Sequence, residues 1–417
     1  METRDERLAT WLDDSIITKA ATCRLLRGSI SPDSTNNQDE AINLSETIIP
    51  LSGLEDALLK HKGKSGAIDE DASSKPWTFI ALSVPRLQPG RLALSIPRKI
   101  FNNIQSTWHL HPRTVEVFLT NNGVFTTFRC PNTGRLSFLL KVANSRSTGS
   151  DCLSMTYDQS ERAIYVLYHH LYNEQAIFAT LHATPQQCLD PQFFITALYR
   201  SHQQQIEAHR NSIDMAILSI ERQTGYGKPN RIMDPGRRPN IDTELVLENP
   251  QSIIQQLSFC QTDLAIIRHV TKCCLDCGEW LIQNIDRGGY QADDDAREGP
   301  MSQKTARSLV RDEVEYTRRL SAMILSQVQQ MSERAQSQTT FILNSITQKD
   351  SEYTAAISID GKRDSIAMRT ISILGIIYLP QLLWLPFSAW RCSAGAPAVM
   401  GKSRPHQRPR PFCGYIW

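Results

Sequence analysis

A few groups of side chains in this 417-residue sequence have the types and spacing to do chemistry. Asp293, Asp294 and Asp295 with Glu298 form a run of carboxylates, and hard cations such as Ca²⁺ or Mg²⁺ take several oxygen ligands of this kind. The run follows Gly288-Gly289, so a solvated charged loop is the competing reading. Cys274-x-x-Cys277 with Cys273 and His269 has the donor types of a Zn²⁺ half-site. It lacks a second cysteine pair and falls inside a helical apolar pattern, where small buried side chains are the favoured explanation. His169-His170, and His109 with His111, fall on strand or strand-entry positions, where alternation sends neighbours to opposite faces. No carboxylate or serine pattern accompanies them, and neither Gly-x-Ser-x-Gly nor a phosphate-binding loop occurs. The expectation is a protein that is not an enzyme and has no catalytic residues.

The elements that must position these groups follow from composition and periodicity. Basic and acidic residues nearly balance, 45 against 43, which argues against nucleic acid as a partner. The ten cysteines are scattered apart from Cys273, Cys274 and Cys277, unlike a disulfide framework, and fit a reducing cytoplasm for the bulk of the chain. The amino end mixes acids and bases without the apolar core of a cleaved leader. Residues 1–75, rich in Ser, Asp, Asn, Gly and Glu from 29 onward, are expected to be mostly disordered, with too little apolar surface to offset chain entropy. Over 76–185, β-branched or alternating runs recur at 79–84, 115–119, 124–128, 136–142, 153–157, 163–168 and 176–182, separated by turns such as Asn121-Asn-Gly123 and Pro131-Asn-Thr-Gly134. With one helix at 97–108, this reads as an α+β domain built on a mainly antiparallel sheet.

Helical spacing takes over afterwards. Residues 190–287 read as a helical pair around a Pro- and Gly-rich loop at 227–250. Asp190-Pro191 supplies a start signal and Thr224-Gly225 a stop for the first helix, with Phe194, Leu198, Ile206, Ile213, Ile217 and Ile220 on its stripe. The second carries Ile253, Leu257, Cys260, Leu264, Ile267, Cys274, Leu281 and Ile285. An acidic loop, 288–304, leads to a long helix over 305–369 with Leu309, Tyr316, Leu320, Ile324, Val328, Met331, Ala335, Ile342 and Ile346 as its expected stripe and Gly361 as its weak point. If continuous it is about 100 Å long. A helix of that length with so narrow a stripe needs neighbours, either the preceding helices or further copies of the chain.

Residues 370–390 then run for 21 positions without a charged side chain, the length of one membrane crossing. A basic, atypical tail, 391–417, follows, and no acidic residue occurs after Asp364. The expected fold is thus a β-rich cytosolic domain followed by long helices leading into one transmembrane helix, with the protein in a membrane and its amino-terminal bulk in the cytoplasm. Pro380 and Pro386 interrupt helical hydrogen bonding in the apolar run, which favours the alternative of a soluble or tail-anchored interaction protein.

This layout resembles the CorA-type divalent-cation transporter family, most closely its fungal CorA-like branch. Ile220-Glu-Arg-Gln-Thr-Gly225 is similar to the family's Ile-Glu-Arg-x-Thr-Gly helix end. Lys362-Arg-Asp-Ser-Ile-Ala-Met-Arg-Thr-Ile-Ser-Ile-Leu-Gly-Ile-Ile-Tyr-Leu-Pro380 is similar to its junction between stalk and membrane, and Leu94-Ser-Ile-Pro97 with Phe101 to its domain-opening segment. The resemblance covers residues 77–380. It implies a homo-oligomer, specifically a pentamer, in which Mg²⁺ or a similar ion passes down a pore and cytosolic metal between subunits holds that pore closed. Asp364, Ser365, Met368, Ile371, Ser372, Gly375 and Leu379 share one helical face and become pore-facing candidates by resemblance, with Asp364 at the cytosolic mouth. A plain anchor that packs this face on other helices is the other reading. Past Pro380 the family pattern stops, without the Gly-Met-Asn signature or a second apolar run. The expectation is a sequence truncated or shifted in reading frame after Pro380. The alternative function is a non-conducting tail-anchored or soluble interaction protein that keeps the cytosolic CorA-like domain.

Overall fold

Seven segments rich in leucine, β-branched and aromatic side chains pair into one sheet in the computed structural model, which describes residues 22–30, 43–50, 53–55, 77–86, 94–120, 122–143, 150–171, 174–227, 249–287 and 301–390. The strands are β1 (Thr22–Ile30), β2 (Asn43–Pro50), β3 (Trp77–Pro85), β4 (Val124–Arg129), β5 (Leu136–Lys141), β6 (Cys152–Asp158) and β7 (Ala163–His170). Their spatial order is β2-β1-β3-β7-β6-β5-β4. Neighbours are antiparallel except β3 and β7, which run parallel with Thr78 opposite Ala163. β5 and β6 are buried along their whole length, as expected of strands covered on both faces.

One face of the sheet packs on α1 (Arg98–Thr107) and α2 (Thr114–Leu119), where Leu25, Leu82, Val84, Leu139 and Leu167 meet Ile100, Phe101, Ile104, Val117 and Phe118. The other face meets α3 (Glu174–Ala183) and α4 (Phe193–Thr224). There Phe194 lies 6.3 Å from Phe79 and edge-on to Tyr168 at 5.7 Å. A 3₁₀ turn, Pro185–Leu189, joins these two helices.

The amino-terminal expectation is corrected. Residues 1–75 contribute two full strands, because β1 gains backbone partners on both sides from β2 and β3 and buries Cys23, Leu25 and Leu26. Two expected strands are helices. In 115–119 the buried residues of α2 are Thr114, Val117 and Phe118, and in 176–182 those of α3 are Ile177, Phe178 and Leu181. That three-to-four spacing fits one helical face, and packing on the sheet overrides the β preference of valine and isoleucine.

Asp190 opens α4 differently from a simple cap: its carboxylate accepts the Gln192 N–H at 2.7 Å and its carbonyl the Phe193 N–H at 3.0 Å. Gly225, at φ 63°, closes the helix in the left-handed region. α5 (Pro250–Asp286) starts on Asn249, whose side chain accepts the Ser252 N–H at 3.1 Å, with Pro250 in the first turn. Every residue of the two stripes expected on α4 and α5 is buried.

α6 (Met301–Trp390) follows, and the chain divides into two units, Met1–Ile342 and Leu343–Trp417. In the first unit the buried residues of α6 include Val310, Val314, Thr317, Ser321, Ile324, Val328, Met331, Ala335, Gln338 and Ile342. They alternate in steps of four and three, the spacing of a coiled-coil seam. Leu309 and Tyr316, expected on this stripe, are exposed, because the seam starts one position later. In the second unit the described residues, 343–390, are helical, and Gly361 does not break the helix.

The expected transmembrane helix is not found: among the described residues no helix is long and apolar enough to cross a membrane. Described side chains of the apolar run end at Leu379, and residues 370–379 span about 15 Å of helix, half of a bilayer core. The side chains of 380–390, the tail 391–417 and the acidic loop at 288–300 lie outside the described residues.

Candidate functional site

The face expected to line a pore belongs to the second unit. At 100° per residue, Asp364, Ser365, Met368, Ile371, Ser372, Gly375 and Leu379 point within an arc of about 120°. All are exposed except Gly375, which is half-buried with the Leu379 side chain 4.0 Å from where a Cβ would sit. One turn earlier Asp360 pairs loosely with Arg363 at 3.9 Å. Beyond Arg369, Ile373, Leu374, Ile376, Ile377 and Tyr378 occupy the remaining directions around the helix, and Ile376 is 74% exposed. The last described turns are therefore apolar on every side.

The first unit explains the other stretch singled out in the sequence, Ile220 to Gly225. Ile220 is buried in the bundle. Glu221, only 4% exposed, accepts two hydrogen bonds from Arg334 of α6, both at 2.8 Å, and Asp214 accepts a third. These carboxylates, Glu221 foremost, raise the Arg334 guanidinium above its ordinary range despite its partial burial. Thr224 Oγ1 donates to Gln338 Oε1 at 2.8 Å, and Gln338 Nε2 donates to the Tyr226 carbonyl. Tyr226 stacks on Phe341 at 4.4 Å. The motif is thus a latch between the end of α4 and the middle of α6. Its partners Arg334 and Gln338 were not found in the sequence, where they read as ordinary polar positions. The signal was Gln338 standing on the seam spacing.

Arg334, Asp214, Glu221, Tyr226 and Gln338 line a cleft of about 680 Å³. Its carboxylates already face a guanidinium, so the cleft is neutralised from within and is not poised for a cation. Among the described residues no group of three or more His, Cys, Asp or Glu stands ready to hold a metal ion.

The cysteines follow the buried reading. Cys274 and Cys277 are buried where α5 packs, and His269 is exposed. Burial pushes the Cys274 thiol up to about 12 and the Cys277 thiol well above its usual range, as for cysteines that pack as small apolar side chains. The Ser321 hydroxyl donates to Cys274 Sγ at 3.6 Å, a packing contact between α6 and α5. Asp293, Asp294, Asp295 and Glu298 lie outside the described residues. The histidines do not converge. His111 stacks on Phe128 at 3.9 Å, and the His109 carbonyl accepts from Thr156 Oγ1. His169 faces Phe118 on one side of the sheet, while His170 stacks on Tyr168 and lies 3.3 Å from Glu174 on the other.

Fold and site together define a mixed α+β domain with a seven-stranded sheet, long packed helices and an apolar helical end. No family model matches the sequence, and no curated protein matches it. Among solved structures, the full-length CmaX protein is 13% identical over 92% of this chain and 90% of its own, with a TM-score of 0.44. The cytoplasmic domain of ZntB from Vibrio parahaemolyticus RIMD 2210633 is 9% identical over 62% of this chain and 86% of its own, with a TM-score of 0.34. Likeness of that size carries no functional inference.

Proposed function

We propose that this chain is a CorA-like membrane protein related to divalent-cation (Mg²⁺) channels, with its sheet domain and helices in the cytoplasm and the apolar end of α6 entering the bilayer within a homo-oligomer. One observation carries the reading. From Ile371 to Leu379 the helix exposes large apolar side chains all round, and a helix apolar on every side is stable only in an apolar surrounding. The uncharged run continues in sequence to Trp390, which gives it the length of a crossing.

In an oligomer, copies of Asp364 would ring the entrance and raise the local concentration of a divalent cation. Ser365, Met368, Ile371, Ser372, Gly375 and Leu379 follow on that face. The ion is the transported substrate; no covalent step and no catalytic residue are assigned. Gly-Met-Asn does not occur in the sequence, so ion selection is not assigned to residues here. That observation favours a second reading, a non-conducting tail-anchored or soluble interaction protein that keeps the cytosolic domain.

Flotation of the full chain with liposomes tests the membrane clause. The wild type should float, and Ile373→Asp with Ile376→Asp should abolish flotation, since each charge costs about 2.5–3.5 kcal/mol at the centre of a membrane helix. A wild-type chain that stays at the bottom of the gradient overturns it. Mg²⁺ entry into vesicles, reduced by Asp364→Asn, supports conduction; floating vesicles without entry support the anchor.

A further inference from the structure

A second polar cluster is buried against α2, independent of the membrane reading. His169 of β7, Cys152 of β6 and Lys141 of β5 stand side by side across three strands. Lys141 is 0% exposed, and its Nζ donates to the carbonyl oxygens of Phe118, at 2.9 Å, and Thr120. Arg86 follows β3 directly, 7% exposed and tied by its backbone N–H to the His170 carbonyl at 2.7 Å. Its guanidinium donates to Ser150 Oγ and lies 4.0 Å from Cys152 Sγ. His169 Nε2 is 3.5 Å from Ser95 Oγ, and its Nδ1 is buried without a hydrogen-bond partner among the described residues.

The cluster brings two cations together without a matching carboxylate among the described residues. No Asp or Glu among the described residues pairs with Arg86 or Lys141 within 4.0 Å. Asp151, beside Cys152 in sequence, serves the opposite face, accepting from Tyr168 Oη at 2.7 Å and the Leu171 N–H at 2.8 Å. The adjoining sequence does not help, since residues 87–93 and 144–149 contain no Asp or Glu. Cys152 is not the counter-ion either: its thiol donates to the Ser150 carbonyl at 3.3 Å, and burial raises its pKa although Lys141 and Arg86 oppose this. Burial also holds the Lys141 ammonium below its usual range, and burial, Arg86, His170 and Lys141 keep His169 neutral. Arg86 has no such release, because a guanidinium does not lose its proton in a protein. A buried cation left uncompensated is strongly destabilising.

We infer that Arg86, Lys141 and Ser150 form a binding site for a small oxyanion of the phosphate class on the α2 side of the sheet. The unused guanidinium N–H groups, the third ammonium hydrogen of Lys141 and the Ser150 hydroxyl are its donors. The occupant neutralises Arg86 and Lys141 and locks the end of β3 to the start of β6.

Equilibrium dialysis of the full chain against labelled inorganic phosphate, at ionic strength fixed with potassium chloride, tests this. Saturable binding is expected, with a matching rise in melting temperature. Arg86→Gln and Lys141→Met should each weaken binding at least tenfold, while Arg319→Gln on the exposed surface of α6 should leave it unchanged. Because either core variant can fail to fold, Ser150→Ala provides the mild test, with an expected several-fold loss. Absence of saturable binding by the wild type, or undiminished affinity in Ser150→Ala together with a folded Arg86→Gln or Lys141→Met, overturns the assignment.

Discussion

Residues 310–342 and 343–379 belong to one helix, yet their side chains meet opposite conditions. In the first stretch a narrow seam is buried and the flanks are tied by Arg334 to Glu221, Arg200 to Glu313 at 2.7 Å and Arg311 to Asp286 at 2.9 Å. In the second, the large apolar side chains from Leu343 and Tyr353 to Leu379 are exposed, with Ile346 alone half-buried. Backbone hydrogen bonding is equally satisfied in both. What differs is what the side chains need: the first stretch is content with α4 and α5, whereas the second exposes apolar side chains that call for an apolar surrounding.

The largest expected effect separates the two stretches directly. Val328 is buried on the seam, and Val328→Asp places an unpaired carboxylate there, lowering stability by more than about 4 kcal/mol. Ile373→Asp should leave the first unit's melting within about 0.5 kcal/mol of wild type. Equal losses in urea titrations of the two variants would erase the contrast.

Next comes the latch. Arg334→Met strands the Glu221 carboxylate and should cost about 2–4 kcal/mol, a figure reduced for the partial exposure of Arg334. Adding Glu221→Gln should recover part of the loss, and a purely additive double-mutant cycle would show that the two groups do not interact.

One glycine substitution should act with opposite signs in the two units. In Gly278→Ala the new Cβ arrives 2.5 Å from Tyr199 Oη on α4, and overpacking of that kind costs about 1–3 kcal/mol. At Gly361 nothing lies within 4 Å, so Gly361→Ala should raise helicity and stabilise by about 0.5–1 kcal/mol. Circular dichroism during thermal melting reads both.

The mildest effect is on pH dependence. His169 is held neutral by burial, so its folded pKa lies well below the unfolded value of about 6.5. Its contribution is complete above that value and is lost as pH falls below it, because the unfolded chain then binds the extra proton. Stability of the first unit should therefore decline from pH 7 toward pH 5, and His169→Phe should flatten that slope.

Sequence patterning is strong where an apolar run is long and continuous. The stripes of α4 and α5 and the cores of β3 to β7 were readable because their apolar residues repeat at helical or strand intervals over several turns or along whole strands. Residues 115–119 and 176–182 misled because a short apolar run satisfies both periods, and only packing on the sheet decides. β1 and β2 were hidden by a polar neighbourhood, since strand pairing rewards backbone as much as side chain. On α6 the seam includes Thr317, Ser321 and Gln338, so apolar spacing alone points to Leu309 and Tyr316 instead. Of the site, Ile220 to Gly225 was visible as a pattern, but its purpose depends on Arg334, more than a hundred residues away in sequence.

The parallel union of β3 with β7 sets a timetable for synthesis. Thr78 waits for Ala163, roughly 85 residues later. At about 5–20 residues per second the ribosome needs about 4–17 s to deliver that partner. During this interval β1, β2 and β3 form at most a three-stranded fragment whose β3 border is unclaimed, a template for other nascent chains. Dependence on a chaperone that shields strand borders during translation, with heavier aggregation when elongation is slowed between codons 86 and 162, follows from that single crossover.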